Sequence, residues 1–128
     1  MFTIEEIDEL HERLGNANTL PDYVRALGAL GVVRYDSFIS DGHSEFFAAD
    51  GRKVVSQSAH EELAVAETSD REAFLGHLRR HERAETSYLE MSRGMAESGV
   101  ERWTVDVGAM TMTFHGRTGE ALLVEQIS

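Results

Sequence analysis

The sequence predicts an α+β fold in which helices pack on an antiparallel sheet, arranged as two consecutive ααβββ units. Three observations predict it. Four capped amphipathic segments fall in two pairs, and each pair is followed by strand-like runs. The strand-like runs are joined by short Asp-Gly or Gly-bounded turns, which suit hairpins and not the long crossovers of a parallel sheet. The second half repeats the first at a constant offset of 68, with Gly31-Val32-x-Arg34-Tyr35 over Gly99-Val100-x-Arg102-Trp103.

The first helix begins at Thr3-x-x-Glu6, a capping box in which two side chains satisfy each other's free backbone N–H groups. Ile4, Ile7, Leu10 and Leu14 follow at helical spacing, and Gly15-Asn16 supply a left-handed stop. Thr19 with Asp22, and Pro21 in the first turn, start a second helix striped by Tyr23, Val24, Leu27 and Leu30. Gly31 ends it. Val32 to Ile39 is a strand with Val33, Tyr35 and Ile39 on one face, and Asp41-Gly42 turns it into a returning strand, Ser44 to Ala49. Asp50-Gly51 leads to Val54-Val55. Leu63 to Glu67 reads as a short strand, with helix as the alternative.

The second half runs in the same order. Ser69-x-x-Glu72 opens a third helix with Phe74 and Leu78 on one face. Ser87-x-x-Glu90 opens a fourth, aligning Tyr88, Met91 and Met95, and Gly99 closes it. Val100 to Val107 is a strand, turned at Gly108. In Ala109 to His115, Met110, Met112 and Phe114 face one way and Thr111, Thr113 and His115 the other. Gly116 and Gly119 bracket a turn before the last strand, Ala121 to Ile127. The offset of 68 also lays Ile39 over Val107, Phe46 over Phe114 and Gly51 over Gly119. The preceding helices correspond if a gap of one turn sets Tyr23 over Tyr88. The expected organisation is one domain over 1–128, with half-repeats 1–66 and 67–128.

Composition narrows the function classes. With 128 residues, one domain with a modest core is expected. The chain carries 23 Asp+Glu against 12 Lys+Arg, a net charge of -11, which disfavours phosphate contacts and hence nucleic acid. It has no cysteine, so disulfides, zinc-thiolate sites and Cys nucleophiles are excluded. No apolar run approaches the ~20 residues of a membrane span. Met1 to Glu6 has neither the basic nor the apolar segment of a signal peptide, so a cytoplasmic protein is expected.

Candidate chemistry rests on Arg, His and aromatics. Strand alternation turns Trp103 and Tyr35 toward the core and Arg34 and Arg102 toward solvent or a partner. The structural reading is that both aromatics fill the core. The functional reading is a ligand pocket on Trp103 and Tyr35, with Arg34 and Arg102 approaching across a pseudo-dyad as a fork for carboxylate or phosphate. His77 and His81, four apart on one helix face, are the metal candidates, although no further ligands are identifiable and no cofactor is expected. His60-Glu61-Glu62-Leu63-Ala64 lacks the second His of the zinc-protease motif. Arg79, Arg80 and Arg83 form a basic cluster late in the third helix, where cations complement the helix dipole. Gly-x-Ser-x-Gly, P-loop and Gly-x-Gly-x-x-Gly patterns are absent, and no catalytic residue is assigned.

The stretch from Tyr88 through Ala96-x-x-Gly99-Val100-x-Arg102-Trp103 to Leu122-Leu123-x-Glu125-x-Ile127 resembles the YdfO-like family of small bacterial and prophage proteins, also labelled "phage envelope protein". The likeness extends more loosely through Ser69-Asp70 and Tyr23. It implies a compact α+β fold and carries no activity or site residues. The expected function is a non-enzymatic binding, interaction or regulatory protein whose partner is another protein or a second copy, as a homodimer. The alternative is a small-molecule-binding protein or enzyme with a pocket near Trp103, Arg102 and Arg34.

Overall fold

A computed structural model describes residues 2–14 and 19–127. The first unit comprises α1 (Ile4–Leu14), α2 (Leu20–Leu30), β1 (Val32–Phe38), β2 (Ser44–Ala48) and β3 (Lys53–Val55). The second comprises α3 (Arg71–Glu82), α4 (Tyr88–Glu97), β4 (Val100–Asp106), β5 (Thr111–Gly116) and β6 (Ala121–Gln126). The strands form one antiparallel sheet in the order β3-β2-β1-β4-β5-β6. Each unit contributes three adjacent strands, and β1 joins β4 at the centre.

The register is consistent with the tandem arrangement. Asp36 lies directly opposite Thr104, and these are equivalent positions at the offset of 68. A pseudo-twofold axis therefore passes between them. Both central strands carry a bulge at matching places, between Val32 and Arg34 and between Val100 and Arg102. Gly31 and Gly99, which end the preceding helices, both have positive φ (106° and 79°), a conformation that costs glycine little. The helices also match at 68 without a gap. Tyr23, Val24 and Leu27 are buried, as are Met91, Ser92 and Met95. Tyr88 is 44% exposed, so Met91 and not Tyr88 is the counterpart of Tyr23, and the expected one-turn gap disappears.

Residues paired across a sheet share a face, and this places the core. Tyr35, Phe46 and Val105 pack with Ile7, Leu10, Tyr23, Val24 and Leu27 of α1 and α2. Phe114 packs with Phe74, Leu78, Met91 and Met95 of α3 and α4. Tyr35 pairs with Val105, and Trp103 with Phe114, so both helix pairs cover the same face. Trp103 touches both clusters and fills the seam between the helix pairs.

Local expectations fare unevenly. The capping boxes at Thr3/Glu6 and Ser87/Glu90 form. At the third helix the cap is Asp70, which accepts from the Ala73 N–H at 3.0 Å. Ser69 instead donates to the Gly99 carbonyl and to Glu120. Thr19 donates backward to the Leu14 carbonyl at 2.6 Å. Val33 is 42% exposed because the bulge turns it off the core face assigned from alternation. Leu63 to Glu67 is neither strand nor helix; its amides donate to other segments, Leu63 to Ser40 and Ala66 to Ala96. Gly15 and Asn16 lie outside the described residues.

Candidate functional site: the open face of the sheet

All four helices lie on one side of the sheet, so the other side is open. Antiparallel sheets commonly bury one face and hydrate the other. Here the open face is not a uniform polar surface. Arg34 pairs with Phe47 across β1 and β2, and its guanidinium carbon sits 4.1 Å from the centre of the Phe47 ring. The ring's negative face attracts the cation. Phe38 stacks on His43 with ring centres 4.5 Å apart and planes 7° from parallel. Between these two stacks the Thr104 hydroxyl donates to the Asp36 carboxylate at 2.6 Å. Arg34 approaches the same carboxylate at 3.8 Å.

A second group of charges flanks this centre. His43 meets Asp41 through Nδ1 at 2.5 Å and Glu45 through Nε2 at 3.2 Å. Lys53 donates to Glu45 at 3.1 Å. Burial acts against a charged His43 ring. The hydrogen bonds to Asp41 and Glu45 more than offset it, and the pKa lies above the ordinary histidine value. Burial acts to raise the Asp41 pKa, but hydrogen bonds from the His43 amide, the His43 ring and Ser58 hold it down to about 2. Glu45 is held below the carboxylate norm chiefly by Lys53. These bonds matter to register. Asp36 and Glu45 are directly opposite, a repulsive pair unless each has its own partner.

At one end of the face, residues 62–65 form the wall of a shallow cleft of about 330 Å³. Phe38 and Glu101 line it from the sheet, and Arg117 reaches across it to the Val65 carbonyl at 3.3 Å.

The candidate residues therefore separate. Tyr35 is 4% exposed among Tyr23 and Phe46 on the helix-covered side. Burial drives its phenol pKa strongly upward, and the neighbouring Tyr23 adds to this. Trp103 is on the same side, packed near Phe114. Arg34 and Arg102 are on the open face, with the sheet between them and Trp103. They are not neighbours. Arg102 lies opposite Phe38, four residues along β1 from Arg34, which is about 13 Å of strand. The fork expected across the pseudo-dyad is replaced by Asp36 and Thr104, and Arg102 instead pairs with Glu101 at 3.0 Å.

The metal candidates are each engaged in contacts of the α3–α4 pair. The His77 ring lies where a Cβ on Gly94 would stand, so it serves the packing of α3 on α4. His81 Nδ1 is 3.2 Å from the Thr86 carbonyl, at the turn between those helices. Among the described residues no group of three His, Asp or Glu side chains is placed to hold a metal ion.

Alternation had pointed to the arginines and missed Phe47 and Phe38. The signal was present: if Phe46 faces the core, Phe47 must face away. What alternation cannot supply is the register that sets Arg34 beside Phe47.

No helix among the described residues is long and apolar enough to cross a membrane. A comparison with curated proteins finds no match. A family model described as "protein of unknown function (DUF1398)" matches residues 8–126. The chain belongs to the DUF1398 family.

Proposed function

We propose that this is a non-enzymatic binding protein that takes a protein partner on the open face of its sheet. One observation carries the reading: Arg34 stacked on Phe47 beside the Asp36–Thr104 pair. Arginine and aromatic side chains dominate the energetics of protein interfaces, because they combine large contact area with directional polar groups. Phe38, Phe47 and the exposed Val55 and Val124 add apolar area on the same face.

Charge supports a protein partner over nucleic acid. Arg34, Lys53 and Arg102 moderate the acidity of this face within a chain of net charge -11. They do not build the continuous basic surface that phosphate binding needs. No cofactor enters this reading. We also take the protein to act in the cytoplasm. The YdfO-like resemblance fits the same reading and adds no chemistry to it.

The test is site-directed photo-crosslinking in host-cell extract. A photoreactive phenylalanine analogue is placed at Phe47 or, as a control, at Glu9 on the exposed side of α1. The reading expects one discrete adduct from position 47, lost when Arg34→Glu is added, and none from position 9. Equal labelling from both positions, or an adduct at 47 indifferent to Arg34→Glu, overturns it.

A further inference from the structure

The two edges of the sheet differ. β3 is three residues long, and the residues whose backbone groups point outward are Lys53 and Val55. β6 is twice as long. Ile127 donates inward to Met110, so alternation turns the N–H and C=O groups of Val124 and Gln126 outward; a bulge opposite Phe114 and His115 interrupts the alternation at Leu122. Arg71 confirms the direction by donating to the Leu122 carbonyl from outside the sheet, at 2.8 Å. Val124, in the middle of this edge, is 60% exposed. The bulge at Leu122 blunts one end of this edge, but from Leu123 to Gln126 it is regular, with an exposed valine and no lysine or proline, and that stretch is a template for another strand.

The helix above that edge says which strand. α3 runs alongside β6. Phe74 packs on Phe114 of β5, Arg71 reaches Leu122, and Glu82 and Arg79 lie near enough to Glu125 to influence its charge. At helical spacing the flank turned away from α4 carries Arg71, Glu72, Leu75, Arg79 and Glu82 in order. Its signs read plus, minus, apolar, plus, minus. Reversed, that series becomes minus, plus, apolar, minus, plus. When two copies run antiparallel about a point level with residue 76, Arg71 falls within one residue of the partner's Glu82 and Glu72 within one residue of the partner's Arg79, so the flank complements itself.

We propose that β6 pairs with β6 of a second copy of this chain, antiparallel about a twofold axis at Val124. Val124 then faces the partner's Val124, and Leu122 faces the partner's Gln126. About four backbone hydrogen bonds close the seam, two at Val124 and one at each Leu122 carbonyl. The Leu122 carbonyl accepts from the partner's Gln126 amide, which frees Arg71 to meet the partner's Glu82. The two α3 helices lie side by side over the joined sheet, at the roughly 10 Å spacing of packed helices. Glu125, the acid nearest the axis, lies within the influence of both Glu82 and Arg79, and burial with Glu82 disfavours its charge. An isologous contact of this kind closes on itself and does not propagate. It also enlarges the working surface. One open face measures roughly 500 Å² from strand spacing and length, below the ~800 Å² per partner of a standard interface, and two joined faces exceed it. The pairing stands independently of what the open face binds.

The experiment is light scattering of the full chain after size exclusion, at about 100 µM, with far-UV circular dichroism of each variant as the fold control. The wild type is expected to be a dimer. Val124→Pro removes an outward N–H that the chain's own sheet does not use, and is expected to be a folded monomer. Arg71→Glu is expected to weaken dimerisation about tenfold or more, and Arg71→Glu with Glu82→Arg to restore it to within about threefold. A monomeric wild type overturns the proposal. So does a dimer that survives both Val124→Pro and Arg71→Glu, because its interface then lies elsewhere.

Discussion

Thr104 donates a 2.6 Å hydrogen bond to Asp36, and the two residues occupy equivalent places in the two halves of the chain. The pseudo-dyad of the fold thus runs through a bond between an acid and a hydroxyl, at the centre of the open face. Replacing Thr104 by Val keeps the shape and removes the donor from a carboxylate that is only 14% exposed. Urea unfolding should show a loss of about 1–2 kcal/mol. Thr104→Ser, which keeps the donor, should lose less than half as much.

The packing of α3 on α4 is set by His77 over Gly94. A Cβ at position 94 would stand 2.5 Å from His77 Nδ1. Gly94→Ala should therefore destabilise by about 1–3 kcal/mol despite alanine's better helix propensity. His77→Ala makes room, so the double variant should be more stable than Gly94→Ala alone. A double-mutant cycle by thermal unfolding measures this coupling.

His77 and His81 should bind no zinc as a pair. Each ring is committed to the α3–α4 contact or to the Thr86 carbonyl. Calorimetric titration of Zn²⁺ into the wild type and into His77→Ala should give superimposable heats.

The ring of His43 between Asp41 and Glu45 makes stability depend on pH. Its folded pKa lies above the ordinary 6.5, so its contribution is complete below 6.5 and is lost as pH rises through the folded value. Asp41 acts in the opposite sense. Its contribution is present above its ordinary 3.8 and is lost as pH falls toward about 2. Unfolding free energy should decline as pH rises above 6.5, and His43→Gln should flatten that decline.

The parts of the fold legible in the sequence were those governed by neighbours along the chain. Capping boxes at Thr3 and Ser87, the turn at Asp41-Gly42 and the spacing of Leu27 or Phe74 are local, and they hold. Errors arise where a distant group competes. Ser69 gives up its cap because Gly99 and Glu120 offer partners, and Asp70 takes the role. Val33 leaves the core because a bulge adds a residue there, which composition does not announce. The site shows the same division. Alternation turns Arg34 and Arg102 away from Trp103, but only the β1–β4 register sets Asp36 and Thr104 between them.

The central claim is that this protein works through the open face and not through a pocket at Trp103. Calorimetric titration of the partner captured at Phe47 against wild type, Phe47→Ala and Trp103→Phe tests it most directly. Phe47→Ala should weaken binding by about tenfold or more, while Trp103→Phe, with equal fold and helix content, should leave it unchanged. Full affinity in Phe47→Ala together with loss in Trp103→Phe would contradict it.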